Sequence, residues 1–225
     1  FNAVTILRRL EHISRPALAS FIPVLHSKAV LVDTGANADC RPEFLVEFAI
    51  MGSVYAEKAL GVASPKIGLL SNGEEAGKGS QLVKEAYPLL QQSGLNFFGN
   101  AEPKEVFGGN VNVAVTDGFS GNIFVKTSES VGKLILTVLR ESISSKFIYK
   151  IGYSLARPAF SALRKMLDPS ETGAALLLGV DGLVFIGHGK SDARALISAV
   201  KLARHTINAD LLPAMKEEIQ SKLNH

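Results

Sequence analysis

One cysteine in 225 residues, Cys40, leaves no internal disulfide to be made, and such a composition fits a reducing compartment. Cys40 reads as a small, buried or half-buried residue rather than a nucleophile. Long apolar runs are also missing. The stretch Ala174 to Leu178 is typical of the longest ones and far too short to span a bilayer. No secretory leader is visible. The chain opens at Phe1 instead of methionine, and Val4, Ile6, Leu7 and Leu10 already form an apolar helical face opposite Arg8, Arg9 and Glu11. A piece of a longer protein is the expectation.

Other absences narrow the function. The 24 Lys and Arg are scattered among 21 acids, and no basic run is interleaved with aromatics, so the net charge of +3 is no nucleic-acid signature. The histidines at 12, 26, 188, 205 and 225 show no ligand spacing with one another or with Cys40, and no metal site is expected. No cofactor is indicated either. Gly118-Phe119-Ser120-Gly121 is one residue short of a nucleophile elbow, and Ser191, His188 and Asp192 are too close in sequence for an oriented triad. His188 alone, in a loop, is more often a hydrogen-bonded structural residue than a base.

What is present is alternation. Strand-like runs at Ala29–Val32, Lys66–Leu70, Leu95–Phe98, Val111–Thr116 and Leu183–Ile186 are separated by helical periodicity near Pro42–Leu60, Gln81–Gln92, Gly121–Ile143 and Ser191–His205. A last helix runs from about Asp210 to Leu223. The pattern predicts one α/β domain with a largely parallel sheet, at 47% hydrophobic content enough to bury a core. Ligands in such sheets sit beyond the carboxyl ends of the strands.

Each of the five strands is followed by a polar, glycine-rich loop. These are Asp33-Thr34-Gly35-Ala36-Asn37, Ser71 to Ser80, Gly99-Asn100-Ala101-Glu102, Asp117-Gly118-Phe119-Ser120-Gly121-Asn122 and Gly187-His188-Gly189-Lys190-Ser191-Asp192. If the strands are parallel, all five share one rim. Any one is an ordinary turn; together they indicate a site. The second carries Gly77-Lys78-Gly79 just before a helix start, where free backbone N–H groups and the positive dipole end suit an anion. It is not a Walker A loop: only three residues separate Gly73 from Gly77, and Gly79 stands where the magnesium-binding hydroxyl belongs. Glu74 and Glu75 would repel a triphosphate. The loop reads equally as a βα turn with a solvated lysine.

Lys146 to Lys165 holds five basic residues and no acid. Phe147, Ile148, Ile151 and Leu155 fall at helical spacing, and Pro158 can open a second helix, so 144–168 is expected to form an amphipathic helical hairpin. A cationic face with apolar tips, built from Lys146, Lys150, Phe147, Ile148 and Ile151, suits a membrane surface, an acidic partner or a dimer groove. Packing of its apolar face on the body of the protein accounts for it equally well.

In order along the chain, Asp33 to Asn37, Met51-Gly52-Ser53-Val54-Tyr55-Ala56, Gly73 to Ser80, Asn96-Phe97-Phe98-Gly99-Asn100, Asp117 to Asn122 and His188 to Arg194 resemble the acyl-ACP:phosphate acyltransferases, the PlsX family. The likeness covers essentially the whole chain. The family's N-terminal third, with its Asp-Ala-Met-Gly-Gly-Asp and Gly-Asn-Thr-Gly-Ala motifs, has no counterpart here. Lys190 stands where the family usually has serine. The resemblance implies a three-layer fold like isocitrate and isopropylmalate dehydrogenases and phosphate acetyltransferase, and a homodimer. It also implies transfer of a fatty acyl group from acyl carrier protein to inorganic phosphate, in the cytoplasm and peripherally at the membrane, for a glycerol-3-phosphate acyltransferase to consume. The residues it brings near the site are Lys78, Asn37 and His188 as catalytic candidates and Gly77, Gly79, Asn100, Asp117, Asn122 and Asp192 as phosphate or substrate contacts. A nicotinamide-dependent dehydrogenase of the related fold is the rival enzyme, but the rim's acids are too dispersed for a metal and nucleotide. A non-enzymatic adaptor is the other alternative.

Overall fold

The computed structural model describes residues 2–168, 173–187, 189 and 191–223. Seven strands form one mixed sheet: β1 (Ala17–Val24), β2 (Ser27–Val32), β3 (Ile67–Leu70), β4 (Phe97–Ala101), β5 (Val113–Val115), β6 (Ala174–Leu178) and β7 (Val184–Gly187), in the order β4-β3-β5-β2-β1-β6-β7. β2, β5, β3 and β4 are mutually parallel, while β1 pairs antiparallel with both β2 and β6, and β7 pairs antiparallel with β6. The helices are α1 (Asn2–Leu7), α2 (Pro42–Leu60), α3 (Gln81–Gln92), α4 (Pro103–Gly108), α5 (Gly118–Ser144), α6 (Phe147–Met166), α7 (Ala193–Asn208) and α8 (Leu211–Leu223).

α2 organises the core. Pro42 opens it at a position where a missing N–H costs nothing, and Gly61 closes it in the left-handed conformation, φ 68°, returning its N–H to Glu57 O. Ten of its residues are buried, and at Gly52 a Cβ would stand 2.7 Å from both Val113 and Val32. The Met51-Gly52-Ser53 segment is therefore the place where helix backbone meets sheet. One face of the sheet is covered by α2, α3 and α8 around Phe48, Met51, Tyr55, Leu69 and Ile219; the other carries a smaller cluster of Ile22, Leu31, Val106 and Ala114, with Phe124 and Val125 of α5 against it. These are the layers of an α/β sandwich.

Two strands and two helices depart from the sequence expectation; α4, opened by Pro103 with Glu102 and Glu105 as a capping box, answers to no expected element. β6, Ala-Ala-Leu-Leu-Leu, is built of helix formers, and its place between β1 and β7 overrides that propensity. β1 holds Pro23 and hides its alternation behind buried residues on both faces. The expected hairpin of 144–168 is instead a single helix, α6, packed on α5. Pro158 lies inside α6, with Tyr153 and Phe160 in ring contact at 5.1 Å across it. The amphipathic stripe continues on both sides of the proline, so the local loss of one backbone bond does not end the helix.

Candidate anion site at the carboxyl rim

Because β2, β3, β4 and β5 run the same way, the loops that follow them share one rim. The fifth does not join them. β7 is antiparallel to β6, β6 to β1 and β1 to β2, so β7 ends at the opposite edge of the sheet. Asp192 accordingly caps α7 at that edge, accepting from Ala195 N at 2.9 Å. His188 and Lys190 lie outside the described residues. The expectation of five loops on one rim assumed parallel strands; the antiparallel β1, β6 and β7 reduce it to four.

The first rim loop is closed on itself. Asp33, fully buried and at φ 60°, accepts from Gly35 N (3.1 Å), Ala36 N (2.6 Å), Asn37 N (2.9 Å) and Asn37 Nδ2 (2.8 Å). An aspartate can turn back on the next few amides in this way because its side chain is short. Asn37 spends its second amide hydrogen on Pro16 O at 2.8 Å. Both donors of that side chain are thus structural here, and the residue positions the loop. Asp33 was in a motif singled out from the sequence but not among the candidate site residues; the signal was an aspartate followed by glycine and asparagine.

That loop is docked on the start of α5. Gly118 N donates to Asn37 O at 2.7 Å, and a Cβ at Gly118 would stand 2.8 Å from Asn37 backbone atoms. A Cβ at Gly121 would collide with Asp33 O. Asp117 caps the helix, accepting from Ser120 N and from Ser120 Oγ, both at 2.8 Å. Asn122 lies against Gly35, its Cγ 3.6 Å from the position a Cβ would take there. Glycines at 118 and 121 therefore bring the start of α5 onto the Asp33 loop by permitting backbone contact, which sets Asn37 and Asp117 together with Asn122 alongside Gly35.

The lysine loop is held from outside. Lys78 N donates to Glu75 O (2.9 Å), and Asn100 Nδ2 reaches from β4 to the same carbonyl (2.7 Å). Gly79 sits at φ +98°, and a Cβ there would meet Val83 at 2.5 Å and Ser71 Oγ at 3.0 Å, so only glycine fits. Ser80 caps α3 through Val83 N. Lys104, on α4, contacts Glu74 (2.7 Å), Glu102 (2.9 Å) and Glu105 (3.7 Å), which draws the loop's own acid away from Lys78. These three carboxylates are close enough to hold a metal, but the ammonium of Lys104 already engages them. Lys104 was missed in the sequence; its signal was a lysine flanked by acids two positions before and one after. Lys78 and Gly77 are exposed, and among the described residues Lys78 makes no ion pair. Asn100 Oδ1 and Ser71 Oγ are buried beneath the loop without hydrogen-bond partners.

The electrostatic contrast between the two loops is visible at Cys40. Its thiol donates to Asn37 O at 3.5 Å, and burial first, then the negative charges of Asp33 and Asp117, push its pKa up to about 12. The Asp33 side of the rim disfavours added negative charge; the Lys78 side offers an ammonium that makes no ion pair among the described residues, glycine amides and the N-terminus of α3, beside the exposed Glu75. Lys146, Phe147, Ile148, Lys150 and Ile151 are grouped at the start of α6, where Phe147 is 79% and Ile148 64% exposed, away from the rim. α5, at 27 residues, separates its capped start from that tip by about 40 Å. Among the described residues no helix is long and apolar enough to cross a membrane.

A family profile described as "Fatty acid synthesis protein" matches residues 1–213. The chain is 45% identical over 220 residues to a phosphate acyltransferase of Thermus thermophilus, covering 97% of this chain and 67% of that protein. With a phosphate acyltransferase of Elusimicrobium minutum it shares 42% over 217 residues, covering 96% and 64%. It thus spans about two thirds of the length of these relatives. Among solved structures it resembles a phosphotransacetylase from Streptococcus pyogenes, with a TM-score of 0.57, 19% identity, and coverage of 94% of this chain and 58% of that one. At that identity the likeness is one of fold.

Proposed function

Since the chain belongs to the fatty acid synthesis protein family that includes the phosphate acyltransferases, we propose that its carboxyl rim binds inorganic phosphate and directs it onto a fatty acyl thioester of acyl carrier protein. A phosphate oxygen attacks the thioester carbonyl carbon, a C–O bond forms, and the tetrahedral oxyanion collapses with cleavage of the C–S bond. The products are an acyl phosphate and the carrier thiolate, which takes a proton from water. Phosphate near neutral pH is already largely anionic, so positioning and charge stabilisation carry the step. Lys78 and the amides of Gly77 and Gly79 hold the phosphate, and Asn122 borders the reacting centre. Asn37 and Asn100 act by fixing their loops.

The observation that carries this reading is the Lys78 ammonium, which makes no ion pair among the described residues, on a rim where Glu74 is engaged by Lys104, Asp33 by four donors and Asp117 by Ser120, leaving Glu75 as the other exposed acid of its own loop. Incubating the protein with acyl carrier protein thioester and phosphate, then trapping product as hydroxamate, tests it. Phosphate-dependent hydroxamate that is lost in Lys78→Ala is expected; product formation by that variant at unchanged phosphate KM removes Lys78 from the site.

The exposed start of α6 supports a second element of the proposal: reversible contact with anionic lipid on the cytoplasmic side, where a glycerol-3-phosphate acyltransferase would take the product. Basic residues contribute roughly 1 kcal/mol each near such a surface, and the apolar tips add burial. Ile148→Glu with Ile151→Glu is expected to abolish sedimentation with anionic liposomes while sparing activity on soluble thioester. Undiminished sedimentation would assign α6 to another use, docking of the acidic carrier protein or of a second copy.

A further inference from the structure

A cavity of about 1030 Å³ lies between the β1–β2 hairpin and the α5–α6 hairpin, at the upper end of the size range of pockets that enclose a small organic molecule. Its wall includes Ile22 and Val24 of β1, Val125, Gly132 and Ile135 of α5, and Met166 of α6. Among the described residues β6 pairs only with Ala17 to Ala19, and no described strand lies beside Ser20 to Val24 on that edge. In its middle the wall is hollow. Gly132 is buried but carries no side chain, and a Cβ there would meet Leu167 only at an ordinary 3.6 Å.

The cavity is joined to the anion rim by a single stripe of α5. Asn122, Val125, Glu129, Gly132 and Ile135 recur at intervals of three or four and form a stripe that winds by about 140° around the helix from first to last. The first of them stands against Gly35 at the rim, the other four line the cavity, and the stripe is about 20 Å long. A ligand fixed at the rim by a polar head would lay an unbranched apolar tail along this stripe.

We infer that the cavity receives the hydrocarbon tail of the acyl thioester while the thioester carbonyl sits at the rim, and that Gly132 sets how long a tail is accepted. This rests on the acyl-transfer reading above. Burying a methylene is worth about fourfold in affinity, so a side chain that cuts off the far part of the cavity penalises long tails and spares short ones. Leucine at 132 is also a better helix former than glycine, and the melting temperature reports whether the fold is retained.

Two measurements separate the cavity from the reaction. In the first, acyl phosphate formation from octanoyl and palmitoyl carrier-protein thioesters is compared in wild type and Gly132→Leu. The expected result is a fall of about tenfold or more in kcat/KM for palmitoyl, with octanoyl and the phosphate KM unchanged; an equal response of both chain lengths overturns the inference. In the second, cis-parinaric acid is titrated into the 225-residue chain by fluorescence, with Ile135→Asp as a second variant and melting temperature as the folding control. Saturable binding that both variants weaken supports the cavity, and equal binding by folded variants overturns it. If wild type makes no acyl phosphate but binds the probe in a Gly132-dependent way, the function reading fails and the cavity stands. Release of the probe on self-association, followed by sedimentation at rising protein concentration, would give the groove to a second copy and overturn the inference.

Discussion

The loops after β2 and β3 have the same raw materials, glycines, small polar residues and one charged side chain each that matters, and they sit on the same rim, yet they do opposite things. The Asp33 loop brings its own anion: the carboxylate fills the concavity that three consecutive amides make. The Lys78 loop hands one of its two acids, Glu74, to Lys104, and its Gly77 and Lys78 remain exposed. The difference teaches that a glycine-rich turn becomes a binding element only when its donors are not satisfied from within. In the first loop that satisfaction comes from the Asp33 carboxylate; in the second, the charge beside the glycines is the exposed cation of Lys78.

The largest effect should come from emptying the closed loop. Asp33→Ala strands three amides and the Asn37 side chain in a buried place, and is expected to cost about 3 to 5 kcal/mol of folding stability, measured by urea unfolding. A loss below about 1 kcal/mol would mean that water replaces the carboxylate and that the loop is not built around it. The open loop should behave in the reverse way. Lys78→Ala is expected to leave the urea midpoint unchanged and to remove about 2 to 4 kcal/mol of transition-state stabilisation, read as kcat/KM for phosphate.

Cys40 sharpens the comparison as a local reporter. With its pKa pushed up to about 12, the thiol should alkylate far more slowly than a free thiol at pH 8 and at the free-thiol rate once unfolded. Asp117→Asn removes one of the charges responsible and should speed the reaction in the folded protein. Because the folded pKa lies above the ordinary thiol value of 9.0, ionisation favours the unfolded chain, and stability should decline as pH rises from about 9.

The smallest effect belongs to Lys104, which is exposed. Lys104 holds the Glu74 carboxyl below its usual range, chiefly through their hydrogen bond. That contribution is present at neutral pH and lost as pH falls through the lowered Glu74 value. Lys104→Ala should raise the phosphate KM by roughly two- to threefold, less at high salt, as expected of a surface pair. An unchanged KM at low salt would show that Glu74 does not act on Lys78.

Most of this architecture could be read from the chain because local signals and tertiary demands agree. Pro42 and Gly61 bracket α2, Ser80 and Asp117 cap the helices that follow them, and the four parallel strands are short apolar runs ended by turns. The signals failed where pairing partners decide. Ala174–Leu178 is a strand only because β1 and β7 flank it, and no count along the sequence reveals that β7 runs backwards and carries Asp192 to the far edge. Loop position put Lys78, Gly79 and Asn122 on one rim, as the parallel strands do, but residue type could not distinguish Asn37 as a donor to ligand from Asn37 as a strut, since that depends on Pro16, twenty-one positions away.

The central place of β1 also has a consequence in time. Its partner β2 follows at once, but Ala17 and Leu178 are 161 positions apart, which at ordinary rates of synthesis is roughly 8 to 30 s. For that interval one edge of β1 waits on the nascent chain with unpaired backbone groups, a template for the wrong strand. Pro23, which has no N–H to offer, stands on that edge beyond the Ala17 to Ala19 stretch that pairs with β6. It shields the hairpin against mispairing long before the sheet is complete.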